Sequence, residues 1–106
     1  MDTKKTGVLP VSRITYQDAN LEIADQFKKE LLALIDEGNP KVILNFETVT
    51  YIDSSFLGAM VAALKHAMSI NGDIYLVGLR KDIHNMMQLI RMDKVFKIYT
   101  HAEDVA

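Results

Sequence analysis

The chain has no cysteine, two prolines, five glycines and a formal net charge of only -2 over 106 residues. Without cysteine there are no disulfides, no thiol nucleophile and no thiolate metal site. A reducing cytoplasm fits that composition, and a cytoplasmic location is the expectation. So small a charge supplies no basic face, so a nucleic-acid partner is not expected. No uninterrupted apolar run approaches the roughly 20 residues of a membrane-spanning helix, so membrane insertion is not expected either. Met1 to Gly7 is short and polar and lacks the apolar core of a signal peptide.

What is present describes one small globular domain, residues 1–106. The hydrophobic fraction is 49% and the charged fraction 25%, ordinary values for a soluble fold of this length. There is no internal repeat, low-complexity tract or linker. Val8 to Tyr16 is β-rich, and Pro10 within it removes a backbone donor, which suits an edge strand or the first residues of a strand. Asp18-Ala19-Asn20 supplies turn and cap chemistry. From Leu21 to about Glu37, Ile23, Phe27, Leu31, Leu34 and Ile35 fall on one helical face. Gly38-Asn39-Pro40 then stops the helix.

Val42 to Phe46 is nearly all apolar, the pattern of a strand covered on both faces in a parallel sheet. A second helix is predicted from Ser55 to about Ser69, and a strand over Ile74 to Val77. A third helix follows from about Lys81 to Arg91, with Ile83, Met86, Met87 and Ile90 on one stripe. Val95 to Tyr99 reads as a last short strand and His101 to Ala106 as a terminal helical turn. This alternation predicts an α/β domain with a mixed sheet of four or five strands and three main helices.

Several chemistries lack their residues. A hydrolytic serine wants a Gly-x-Ser-x-Gly elbow and a histidine within reach; the serines here have neither. His66, His84 and His101 are scattered without metal-ligand spacing, so no metal site is expected. The glycines at 7, 38, 58, 72 and 78 form no phosphate-cradling loop. No cofactor is expected, and the chain does not read as an enzyme.

Two features of the second helix stand out. It is crowded with apolar residues, and its first strong charge is Lys65. A stripe through Leu57, Met60 or Val61, Leu64 and Met68 satisfies core packing. Phe56, Ala59 and Ala63 then occupy a neighbouring face, where a surface helix would carry charge. Burial against a neighbour accounts for that face, and so does a patch that docks another protein. The docking reading makes Phe56, Ala59 and Ala63 partner-binding residues. The helix also opens on Asp53-Ser54-Ser55. Capping alone explains an acid or a serine there, but two hydroxyls follow the acid. Helix N-termini favour negative charge and hold phosphate, so Ser54 or Ser55 is a candidate site for adding and removing a charge.

The run from Lys41 to Gly58, KVILNFETVTYIDSSFLG, resembles the signature of STAS domains, specifically bacterial anti-sigma factor antagonists. The likeness continues through Leu64-Lys65-His66-Ala67, the strand from Gly72 to Gly78 and the segment from Met92 to Tyr99. The resemblance implies phosphorylation at Ser54, the serine directly after the aspartate, with Ser55 the second choice. Asp53 and Ser55 would support it. It implies an anti-sigma factor that is also a serine kinase as partner, bound by the unphosphorylated protein, and a metal-dependent serine phosphatase that reverses the switch. ATP and Mg²⁺ would belong to the kinase. An interaction module of a signalling scaffold or transporter-associated complex is the alternative. Phe56 stands where the family usually has glycine, so a ring two residues from the phosphosite would bear on partner choice. The family's two leading strands must fit before Leu21, so residues 1–7 are expected to be short of order or frayed.

Overall fold

A computed structural model describes residues 1–6 and 9–105. The elements are β1 (Asp2–Thr6), β2 (Leu9–Arg13), β3 (Asp18–Ala19), α1 (Leu21–Asp36), β4 (Lys41–Asn45), β5 (Tyr51–Ile52) and α2 (Ser54–Ser69). They are followed by β6 (Asp73–Val77), α3 (Lys81–Leu89) and β7 (Lys97–Tyr99), with short 3-10 turns at Met92–Lys94 and Ala102–Asp104. The mixed α/β architecture with three main helices is therefore present.

Five strands form one sheet in the order β1-β2-β4-β6-β7, and β3 and β5 form a separate two-residue pair. β1 runs antiparallel to β2, whereas β2, β4, β6 and β7 are mutually parallel. Each parallel step is spanned by one helix, as such connections require. Pro10 lies inside the sheet order, not on an edge strand. The ladder between β2 and β4 begins one residue later, at Val11, so its missing N–H interrupts nothing there. The fraying expected over residues 1–7 falls partly on Gly7, outside the described residues. Over 2–6 the chain is a strand paired along its length.

One apolar cluster holds the domain together. Val42 and Leu44 of β4 and Ile74 and Leu76 of β6 meet Phe27, Leu31 and Ile35 of α1, Phe56 and Met60 of α2, and Ile83 and Met87 of α3. Ile43, pointing the opposite way on β4, is also buried but lies outside that cluster. Its in-register neighbours are Val11 and Tyr75. The apolar run of β4 is thus buried by helices on one face and by flanking strands on the other. The third helix is shorter than its periodicity suggests: it stops at Leu89, and Ile90 is exposed. The left-handed backbone at Arg91 turns the chain there.

α1 and α2 lie side by side and run the same way. Asp53 joins their N-terminal ends, Leu21 N–H donating to its Oδ2 at 2.8 Å. Asp36, the last residue of α1, meets His66 in the last turn of α2 at 2.6 Å. The positive ends of two 16-residue helices therefore converge on one corner of the molecule.

Candidate functional site

That corner is built around Asp53, whose two carboxylate oxygens serve two helices. Oδ1 accepts from Phe56 N–H at 2.9 Å and caps α2. Oδ2 accepts from Leu21 N–H, the first residue of α1, while Asn20 caps the same helix by accepting from Glu22 N–H at 3.0 Å. Asp53 N–H in turn donates to Ala19 carbonyl oxygen at 2.9 Å. The short β3–β5 pair, Asp18 opposite Tyr51 and Ala19 opposite Ile52, places these loops together. An acid was needed here because one carboxylate can satisfy two orphan helix donors.

With Asp53 as cap, Ser54 is the first residue of α2, and it is exposed; Ser55 is half-buried. Ser54 is thus exposed in the first turn of α2, next in the chain to the aspartate that joins the two helix N-termini. Leu21 and Tyr51 flank the corner at 69% and 53% exposure.

Of the two readings of the Phe56 face of α2, burial is the one present, and the docking patch expected there is corrected. Phe56 and Ala63 are fully buried and Ala59 nearly so. Phe56 stacks obliquely on Phe27 of α1, ring centroids 4.2 Å apart. These three residues are core, so they are not a surface for a partner, and the Phe56 ring does not project beside Ser54. The stripe proposed as core is split: Met60 and Leu64 are buried, Leu57 and Val61 only partly so, and Met68 is 61% exposed. The reason is that α1 covers the Phe56 side. Two apolar faces on one helix leave periodicity alone without a direction.

The outward face carries the serine. Ser54, Leu57, Gly58, Val61 and Lys65 recur at helical spacing opposite the buried stripe. With Met92 from the 3-10 turn they line a shallow groove of about 420 Å³. Its apolar residues escaped sequence reasoning, although one signal was available. Ser54, Gly58 and Lys65 share a face with Leu57 and Val61, and a serine meant for modification must face outward.

The remaining histidines stand apart from this corner. His84 and His101 line a cavity of about 540 Å³ with Glu47 and Asp104 at the carboxyl ends of the parallel strands. Among the described residues no group of histidines and carboxylates is arranged to hold a metal ion. Nor is any described helix long and apolar enough to cross a membrane. On the open side of β6 and β7, Lys97 bonds Asp73 at 2.8 Å and lies 5.7 Å from the Tyr75 ring centre. The Asp73 hydrogen bond and charge hold the lysine above its ordinary pKa of 10.5.

A mixed sheet with parallel α1 and α2 meeting at an Asp-Ser pair defines a small α/β domain with a solvent-facing helix-start serine. The chain belongs to the STAS domain family, whose model matches residues 18–105. A Thermotoga neapolitana protein provisionally named an anti-sigma factor antagonist is 31% identical over 84 residues, 78% of this chain and 74% of the relative. The crystal structure of a Thermotoga maritima protein with the same provisional name superposes with a TM-score of 0.85 at 27% identity, covering 97% of this chain and 88% of the other. The Bacillus cell fate determinant SpoIIAA in its phosphorylated form shares the fold alone, with a TM-score of 0.71 at 18% identity, covering 98% and 95%.

Proposed function

We propose that this domain is an anti-sigma factor antagonist that binds an anti-sigma factor/serine kinase when unphosphorylated and releases it when Ser54 carries a phosphate. The observation that carries this is the exposed Ser54 hydroxyl at the meeting point of two helix N-termini, beside an apolar groove. Membership of the STAS family and relatives named anti-sigma factor antagonists support it.

The chemistry belongs to the partner. The Ser54 oxygen attacks the γ-phosphorus of ATP held by the kinase, the bond to the β-phosphate oxygen breaks, and ADP departs. The hydroxyl proton passes to a base of the kinase. This domain supplies an acceptor held at a fixed helix end, and a metal-dependent serine phosphatase in the cytoplasm restores the hydroxyl. Phosphate adds about −1.5 to −2 charges beside surface that must lose water on docking, which opposes binding.

Intact mass after incubation with the cognate kinase and ATP tests the site. One phosphate is expected on the wild type and none on Ser54→Ala; a phosphate that persists in Ser54→Ala and vanishes in Ser55→Ala moves the switch one residue. Ser54→Asp should keep its circular dichroism and bind the kinase at least about tenfold more weakly, because the charge sits on the docking face. Unchanged affinity in Ser54→Asp rejects the switch and favours a constitutive interaction module.

A further inference from the structure

Gly58 is unexplained by the fold. Glycine inside a helix is unfavourable relative to alanine because its backbone loses more freedom. It is tolerated where φ is positive or where a neighbour leaves no room for Cβ. Gly72 is such a case, since a Cβ there would lie 1.9 Å from the Pro40 carbonyl oxygen. Gly58 is not: it lies within α2, its φ is ordinary, and a Cβ would meet nothing within 4 Å. It sits one turn beyond Ser54 on the outward face, at the floor of the groove between Leu57 and Val61. The missing side chain leaves the helix backbone open to close approach from outside.

The groove has a charged end as well. Lys65 lines it eleven residues beyond Ser54, and Met92, its opposite wall, lies between the exposed Arg91 and the turn that ends in exposed Lys94. Asp93, half-buried, is the one carboxylate in that turn. Leu89 and Val95, three residues either side of Met92 in the chain, are exposed at 83% and 41%. Ser54 to Lys65 spans about 16 Å at helical rise, enough for three turns of a second helix.

We propose that this groove seats an amphipathic helix of the partner, with apolar anchors against Leu57, Val61 and Met92, its backbone close over Gly58 and its carboxylates toward Lys65, Arg91 and Lys94. Deepening the Ser54 reading and resting on it, the partner is the same anti-sigma kinase. A helix laid in a groove makes such spaced apolar anchors. The cationic end sets the direction: an acidic flank is drawn to Lys65, while a phosphate at the Ser54 end would have to lose its water for the same helix to dock.

Gly58→Leu and Gly58→Ala in the full chain separate folding from docking. Both are expected to match or exceed the wild-type Tm, since the added carbons replace glycine in a helix without a clash. Gly58→Leu is expected to weaken kinase binding at least about tenfold, with a smaller loss in Gly58→Ala, because the helix can no longer approach. Lys65→Glu should weaken binding and Lys65→Arg should retain it. A lowered Tm in Gly58→Ala shows that the fold needs the glycine and overturns the inference. Wild-type affinity in Gly58→Leu, with Ser54→Asp still defective, overturns the groove and leaves the switch standing. If the kinase binds neither form, the switch reading falls. The groove is then judged by titrating a synthetic helical peptide with leucines at i, i+3 and i+7 and glutamates elsewhere. Shifts of the Leu57, Val61 and Met92 methyls that vanish in Gly58→Leu sustain it, and their absence overturns it.

Discussion

Replacing Phe56 by glycine, the residue that the STAS pattern usually carries there, is expected to destabilise the domain severely. Phe56 is fully buried and its ring stacks on Phe27 at 4.2 Å. Truncating a buried phenylalanine to alanine costs about 3–5 kcal/mol, combining lost transfer energy with the cavity left behind. About 0.5–1.5 kcal/mol of that belongs to the aromatic pair itself. Glycine instead of alanine adds up to about 1 kcal/mol, less in the first turn of a helix than in its middle. The sum is roughly 3–6 kcal/mol, a large share of the 5–15 kcal/mol typical of a whole domain. With an unfolding entropy near 2.1 cal/mol/K per residue, a chain of this length loses about 20 °C in Tm. Urea and thermal melts followed by circular dichroism measure this directly. A double-mutant cycle with Phe27→Ala should be sub-additive, because the second truncation enlarges a cavity that already exists. A Phe56→Gly variant within about 1 kcal/mol of wild type would refute the packing argument. It would also return the Phe56 face of α2 to the surface.

Four further substitutions probe the corner and the sheet. Asp53→Ala removes the acceptors of Phe56 N–H and Leu21 N–H together and should cost about 2 kcal/mol, about twice a single cap. Asp53→Asn, with one carbonyl oxygen, should lose roughly half as much, and faster hydrogen exchange at the Leu21 amide reports the second bond. Gly72→Ala forces backbone movement against Pro40 and should cost about 3 kcal/mol in a urea melt, the upper end for overpacking. Asp73→Asn should bring Lys97 back toward 10.5, since the Asp73 hydrogen bond and charge are what raise it. Because the folded pKa is the raised one, the pair's contribution is complete at neutral pH and fades only as pH climbs through that raised value. A side-chain NMR titration of Lys97 in both forms checks the shift.

The fold was legible because its elements announce themselves by different chemistry. β4 is an unbroken apolar run, α1 carries one stripe, and Gly38-Asn39-Pro40 marks where it stops. The start of α2 was legible for the same reason: an acid and serines between a strand and a helix mark an N-cap, and Asp53 is that cap. The orientation of α2 was not. Phe56, Ala59 and Ala63 satisfy helical periodicity as well as Leu57 and Val61 do, and only α1 decides between them by covering the Phe56 side. Nor does sequence show that Asp53 reaches back to Leu21, a contact between residues 32 positions apart. Ile43 is buried as its apolar run leads one to expect, but the run does not show that its in-register neighbours are Val11 and Tyr75.

In the proposed switch, the same corner would let a charge at Ser54 act on docking and not on folding. A phosphate there would sit one residue from Asp53, and at a separation on the order of 6 Å in a solvent-dominated setting two unit charges against one repel by roughly 1–3 kcal/mol. Opposing this, each helix N-terminus favours an anion by about 0.3–1 kcal/mol per charge, and two helices converge here. For a dianion those two contributions come to roughly 1–4 kcal/mol, so repulsion and attraction offset within the folded domain. Nothing comparable offsets the charge along the groove. Leu57, Gly58 and Val61 offer no donor side chain, and Lys65 lies about 16 Å away, beyond the roughly 8 Å screening length at physiological salt. A docked partner would have to strip water from the phosphate there without replacing it. One covalent change is thus nearly silent for the fold and strongly unfavourable for the complex, and that asymmetry is what makes the first residue of α2 fit to serve as a switch.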